Sequence, residues 1–240
     1  MSTELKDLIA QARWFGGKGR PFEVAGVEEL GALGWDAVRS EAGGSDAGGS
    51  NAVPAQAWVA TLDFGMETDR YLLWSPGGPE SRGPGLPDLT TSPDGLRALW
   101  RGFVHPTPGP IRCRVLRTLP AEAEPTPLNV EQSNTSVRFG EQWMLKLFRR
   151  LATGVNPDIE LHEVLTRAGS TDIAGLGGWI ETEIDGEFAQ LGILQEFLPG
   201  AVDGWATALA ALRGSDPDSF TGHSAALGAA LGRVHAVLAR

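Results

Sequence analysis

A second cysteine, an apolar stretch near Met1 and long apolar runs are the first things this sequence lacks. A single cysteine, Cys113, cannot form an internal disulfide. Met1 to Phe15 carries acidic residues and no apolar h-region, which argues against a secretory signal. No run approaches the roughly 18 apolar residues of a membrane-spanning helix. Positive charge is also scarce: 20 Lys plus Arg against 30 Asp plus Glu leave a formal charge of −10. That field repels nucleic acid and anionic membranes, so any phosphate ligand must be held by local groups. The expectation is a soluble cytoplasmic protein with neither nucleic-acid nor membrane partners. The 240 residues can bury a substantial core in one large or two small domains, and no internal repeat is visible.

What is abundant is glycine, and its densest motif raises a functional question. RWFGGKGR, Arg13 to Arg20, has the residues of a phosphate-cradling loop. It lacks the spacing of a Walker loop and the Ser or Thr after the lysine. Leu5, Leu8, Ile9 and Ala12 recur at helical spacing just before it, after a Ser2/Thr3 cap. Gly16 and Gly17 therefore read as a helix stop and turn.

Strand-like pieces follow at Phe22 to Val27, Ala57 to Phe64 and Asp69 to Trp74, with loops by composition at Ser40 to Gln56 and Ser75 to Gly95. Asp94 to Val104 suggests a short helix and Ile111 to Thr118 a strand. A second unit has strands at Asn134 to Phe139, Gln142 to Phe148, Gly178 to Ile184 and Leu191 to Phe197, with a helix opening at Asn156. Without βαβ alternation, these elements predict an α+β fold. After Pro199 and Gly200 the pattern turns helical: Trp205, Leu209 and Leu212 share one face, and Leu227, Leu231, Val234 and Leu238 another. The eight tryptophans, which could serve as sugar platforms, read as core packing on strands and helix faces.

Two motifs bear on chemistry. Asp63-Phe64-Gly65 spells a kinase metal signature, but it precedes every other candidate and sits between two strands, so it predicts a hairpin. Glu131 to Glu160 is more informative. The polar turn QSNTS leads into a strand carrying Lys146 among Met144, Leu145, Leu147 and Phe148. A lysine on an apolar strand needs an anionic partner. The next helix, capped by Asn156 with Pro157 in its first turn, offers Glu160 and Glu163. A strand lysine, a helix glutamate and a phosphate form the logic of kinase nucleotide sites, although on residue types alone a solvated strand lysine is the commoner case.

RWFGGKGR, EQSNTSV, KLFRR, GVNPDIE, GILQEFLPG and DGW, in that order, resemble bacterial maltokinases, whose kinase-like fold is related to aminoglycoside phosphotransferases. The resemblance implies three parts: a small, mostly β N-terminal cap domain over 1–90, a kinase-like ATP-binding N-lobe over 91–200, and the beginning of a helical C-lobe over 201–240. It implies that Lys146 contacts the α- and β-phosphates of ATP, with Glu160 as first and Glu163 as second choice for its pairing glutamate. Ser133, Asn134, Thr135 and Ser136 would cover the phosphates, where an ordinary β-turn is the bland alternative. Gln195, Glu196, Phe197 and Leu198 would form the hinge, with backbone groups of the last three on the adenine edge. The family makes maltose 1-phosphate from ATP and maltose for α-glucan (glycogen) synthesis, and an enzyme such as trehalose synthase is a conceivable partner of the cap.

The family's His-x-Asp catalytic loop and its Asp-Phe-Glu-type metal motif have no match here. None of His105, His162, His223 and His235 has Asp two residues on. No catalytic residue or metal ligand is therefore assigned, magnesium is expected only with the rest of the C-lobe, and the chain alone is expected to be inactive. Two other readings stay open: a non-catalytic nucleotide-binding or regulatory module, and a related sugar kinase of the glucosamine type.

Overall fold

The computed structural model describes residues 2–33, 55–76, 88–128, 133–214 and 220–240. Helix α1 (Ser2–Gln11) is followed by β1 (Glu23–Leu33), β2 (Ala55–Asp63) and β3 (Thr68–Pro76). A 3-10 turn at Leu89–Thr91 leads into α2 (Pro93–Val104), β4 (Arg112–Val115), β5 (Pro125–Leu128), β6 (Asn134–Phe139), β7 (Trp143–Phe148) and β8 (Arg150–Leu151). Helix α3 (Pro157–Arg167), β9 (Leu176–Ile184), β10 (Glu187–Glu196), α4 (Gly204–Arg213) and α5 (Thr221–Leu238) complete the described order. Both sheets are antiparallel, with strand orders β1-β2-β3-β8 and β4-β9-β10-β7-β6-β5. The α+β expectation holds.

Strand β2 explains how the first sheet is seated. Ala57 and Val59 join the large core shared with the second sheet, while Trp58, Ala60 and Leu62 point the other way, into a smaller core. Burial on both faces makes the strand nearly continuously apolar instead of alternating. In that smaller core, Leu5 and Ile9 of α1 pack with Trp14, Phe15, Phe22 and Tyr71. Across the other face, α2 inserts Leu96, Leu99, Trp100 and Phe103 against both sheets, with Trp100 stacked on Phe139 at 4.8 Å. Ser92 caps α2 by accepting from the Gly95 N–H at 3.1 Å, with Pro93 at the first position.

Several sequence boundaries move. Strand β2 begins at Ala55, so Ala55 and Gln56, the last two residues of the stretch read as loop from Ser40 to Gln56, lie in the sheet; residues 34–54 are outside the described set. Ser75 and Pro76 extend β3, and the segment read as loop up to Gly95 contains the 3-10 turn and the start of α2. Strands β5 and β8 have no counterpart in the sequence reading. Pro125 and Pro127 mask β5, and its place at the sheet edge is where a strand tolerates residues without N–H groups. The Ser2/Thr3 cap rests on side chains outside the described set. The Asp63-Phe64-Gly65 segment is the expected hairpin: β2 pairs with β3, Gly65 has φ of 92°, and its N–H donates to Asp63 Oδ1 at 2.7 Å.

Candidate functional site

The glycine motif is a turn that packs against this hairpin. Trp14 and Phe15 are buried in the smaller core, and the Arg20 guanidinium lies 4.3 Å from the centroid of Phe64 while pairing with Glu67. Gly17 is needed for contact: a Cβ there would come within 2.6 Å of Phe15 Cζ and 2.9 Å of Phe64 Cε1.

The lysine strand is positioned by alternation. Trp143, Leu145 and Leu147 of β7 face the large core, which turns Met144, Lys146 and Phe148 to the other face of the sheet. Directly paired residues share a face, so Ser136 of β6, Lys146 of β7 and Ile193 of β10 form a row across three strands. Helix α3 covers this face, with Ile159 packed against Phe148, Leu176 and Ile193. Asn156 fixes where it starts: its side chain accepts from the Asp158 N–H at 2.9 Å, and its own N–H donates to Gln190 Oε1 of β10 at 2.7 Å.

That registration brings Asp158, rather than either predicted glutamate, to the lysine. Lys146 Nζ and Asp158 Oδ2 are 3.8 Å apart. Glu160 is exposed, one residue beyond buried Ile159, and Glu163 pairs with Arg167 at 2.5 Å one turn on. The sequence signal for Asp158 was its place beside Ile159 at the helix start, where a carboxylate also complements the helix dipole. At about 4 Å two unit charges attract by about 4 kcal/mol at an effective dielectric of 20, largely offset by desolvation and side-chain ordering in a half-buried pair.

Asp158 is shared with His162. The His162 Nδ1 lies 2.8 Å from the Asp158 carbonyl oxygen and 3.3 Å from its carboxylate. The bond from His162 is the main cause holding the Asp158 carboxyl below its ordinary value, with burial opposing it and the charges of His162 and Lys146 adding to it. The same bond chiefly raises the His162 value.

The expected phosphate turn is mostly strand. Asn134, Thr135 and Ser136 belong to β6, paired with Phe148, Leu147 and Lys146, while Ser133 precedes the strand and residues 129–132 lie outside the described set. Beneath Thr135 lies a buried arginine that sequence reading did not single out. Arg149 has no exposed side-chain surface and pairs with Asp88 at 2.9 Å. Its Nε donates to Thr135 Oγ1 at 2.8 Å and its Nη2 to Thr90 Oγ1 at 2.6 Å. Its guanidinium sits 4.9 Å from the centroid of Trp14. The Arg149 carbonyl accepts from the Leu72 N–H at 2.7 Å, where the chain crosses from the second sheet to the first. Only its place between two strands, in KLFRRL, marked it in the sequence.

At the predicted hinge, Gln195 and Glu196 end β10 and Phe197 and Leu198 follow it. Two of the three backbone N–H groups there are already committed: Glu196 N–H to the Gly175 carbonyl at 2.8 Å and Phe197 N–H to the Gln142 carbonyl at 2.7 Å. Leu198 N–H has no backbone acceptor among the described residues, and Leu198 is exposed. The Arg138 guanidinium lies 5.5 Å from the centroid of Phe197. The Glu196 side chain is taken up by Arg117 and the Gly175 N–H.

Helices α4 and α5 contain no buried residue. Trp205, read as core from the sequence, is 73% exposed because no element of the described chain covers that face. The tie between α5 and the rest includes Arg233, bidentate to Asp172 at 2.6 and 2.9 Å. No described helix is long and apolar enough to cross a membrane.

No family model matches the sequence. Among solved structures, a glucosamine kinase in complex with glucosamine, ADP and inorganic phosphate is similar, with a TM-score of 0.55 and 18% identity over 100% of this chain and 53% of that one. A second glucosamine kinase structure, crystal form B, gives 0.52 and 18% over 98% and 51%. The chain therefore spans about half the length of these structures, and the likeness identifies an α+β, kinase-like fold.

Proposed function

We propose that this chain is the nucleotide-binding portion of a sugar kinase. The observation that carries the reading is Lys146, turned out of the core and paired with Asp158 on the covering helix. This strand lysine and helix carboxylate can present an ammonium to the α- and β-phosphates of ATP. Ser133 to Ser136 would lie over the phosphates. The adenine edge would be met at Leu198 N–H and the neighbouring carbonyls, since the Glu196 and Phe197 N–H groups are engaged elsewhere.

When bound, ATP would supply the transferable γ-phosphoryl group; the residues assigned here bind and orient it. The 240 residues hold no His-x-Asp motif, so transfer needs groups from a further lobe, and magnesium would be bound with that lobe. The chain alone then binds ADP or ATP but forms no sugar phosphate.

For the acceptor, a glucosamine-type sugar is supported by the structural neighbours and is the reading preferred here. A maltose acceptor is the second reading, favoured by the ordered motifs from RWFGGKGR to DGW. The test is calorimetric titration of the chain with ADP, followed by an assay for sugar phosphate with ATP, magnesium and either glucosamine or maltose. ADP binding without turnover supports the proposal. Turnover by the chain alone, or no ADP binding, overturns it.

A further inference from the structure

Strand β4 is an edge strand: among the described residues it pairs with β9 and with no other strand. Leu116 N–H donates to the Gly177 carbonyl at 2.8 Å, so by alternation Arg112 and Arg114 turn their N–H and C=O groups to β9, and Cys113 and Val115 turn theirs outward. Those outward groups have no backbone partner among the described residues. The other edge of this sheet, β5, is guarded by Pro125 and Pro127, whereas β4 contains no proline.

The side chains of this edge carry charge of one sign. Cys113 and its paired residue Ile180 enter the large core, so Arg112, Arg114, Trp179 and Glu181 lie on the opposite face. Glu181, 5% exposed, accepts at Oε1 from Arg112 Nε at 3.3 Å and from Arg114 Nε at 2.8 Å, and at Oε2 from the Trp179 indole N–H at 2.8 Å. The two guanidinium groups are thereby engaged at Nε alone. Their Nη groups make no hydrogen bond among the described residues, and the side chains are 40 and 58% exposed. Two guanidinium charges over one carboxylate leave a local positive excess on a chain whose formal charge is −10. Glu183, exposed on the same face, lies past the end of the β4 pairing, so the excess is centred toward Arg114. Trp179 is paired with Ile193 and Ile193 with Lys146, which puts Arg114 three strand spacings, about 14 Å, from that lysine, with Ile159 of α3 packed on Ile193 between them.

We propose that β4 is the docking edge for an extended acidic segment of a partner protein, which adds to the sheet as a further strand with Asp or Glu at alternate positions. Alternate residues of an added strand lie on one face, as Arg112 and Arg114 do, so each carboxylate meets the Nη groups of one arginine while the main chain pairs with Cys113 and Val115. Glu181, itself fixed by Trp179, holds both guanidinium groups in place before the segment arrives, which lowers the ordering cost of binding. Docking at this edge needs neither nucleotide nor sugar.

The test uses the whole chain and the end-blocked peptide Thr-Glu-Val-Glu-Val-Thr, with Thr-Gln-Val-Gln-Val-Thr as its neutral counterpart. Binding is read by calorimetry and by backbone amide exchange. A dissociation constant below about 1 mM is expected for the acidic peptide, with slowed exchange at the Cys113 and Val115 N–H groups. Affinity should fall at least about tenfold for the neutral peptide and in Arg114→Gln, as for loss of a hydrogen bond between charged groups. Val115→Pro removes an outward donor that the sheet does not use, a change an edge strand tolerates; it should abolish binding and leave the circular dichroism spectrum unchanged. The proposal is overturned if the acidic peptide does not bind at about 2 mM, if the neutral peptide binds equally well, or if a folded Val115→Pro protein binds as the native chain does. Should Val115→Pro not fold, exchange at Cys113 and Val115 decides: no slowing in the complex overturns the added strand. Inorganic phosphate binding more tightly than the peptide would make the arginine pair a small-anion site and overturn it as well.

Discussion

Arg149 and Asp88 form a 2.9 Å ion pair in which the arginine side chain has no exposed surface and the aspartate retains 12%. The pair joins the β7–β8 crossing to the 3-10 turn before α2, and through Thr135 and Trp14 it reaches the candidate phosphate strand and the turn after α1. Removing one member leaves the other charged, buried and uncompensated. Arg149→Leu should cost about 3 to 5 kcal/mol of folding stability, read from urea denaturation. Because the two side chains act as a unit, Arg149→Met with Asp88→Leu should cost less than the sum of the single changes. Additive losses would show that the pair contributes nothing as a pair.

Gly17→Ala should destabilise the fold by about 1 to 3 kcal/mol, the usual cost of overpacking. The added methyl meets the Phe15 and Phe64 rings, which cannot retreat without disturbing the small core behind them. At Gly19, where no atom lies within 4 Å, the cost should be the smaller one of a positive φ, 79°. Thermal melts of the two variants separate contact from conformation.

The Asp158–His162 contact gives a pH dependence with a definite sign. Raised His162 is stabilising while protonated, fully so below its ordinary 6.5, and the contribution is lost as pH rises through its folded value. Lowered Asp158 is stabilising above its ordinary 3.8 and loses its contribution as pH falls through its folded value. The pair therefore contributes most between about pH 4 and 6.5. The stability difference between the native chain and His162→Gln should be larger at about pH 5.5 than at about pH 8. Equal differences at both values would remove the contact as a source of stability.

The apolar faces of α4 and α5 should make the isolated chain associate. Trp205, Leu212, Leu227 and Leu231 are 73, 70, 68 and 53% exposed, a concentration of apolar side chains unusual for a monomer surface. Leu227→Glu with Leu231→Glu should lower the mass measured by light scattering and leave the melting midpoint within about 0.5 kcal/mol of its equivalent stability. An unmodified chain that stays monomeric at high concentration would contradict this.

Much of the fold was legible because local chemistry and tertiary packing agree. The helix from Asn156 announced itself through its cap and Pro157, and the β2–β3 hairpin through strand residues flanking Gly65. Strand β5 was hidden because prolines oppose strand propensity and only its edge position permits them. In the candidate site, the outward-turned Lys146 was legible as an ionisable residue interrupting an apolar strand. Its partner was not, because the choice among Asp158, Glu160 and Glu163 depends on the rotation of α3, set by Ile159 and by the Asn156–Gln190 bond. Arg149 was invisible for a similar reason: its hydrogen-bond partners lie 14 to 77 residues away in the chain.

The nucleotide claim turns on Lys146 more than on any other group, and calorimetric titration of ADP into the native chain, Lys146→Ala and Lys146→Arg tests it most directly. Measurable binding to the native chain is expected, with at least about a tenfold loss in Lys146→Ala, equivalent to about 1.4 kcal/mol, and partial retention in Lys146→Arg. An ADP affinity that is unchanged in a folded Lys146→Ala protein would contradict it.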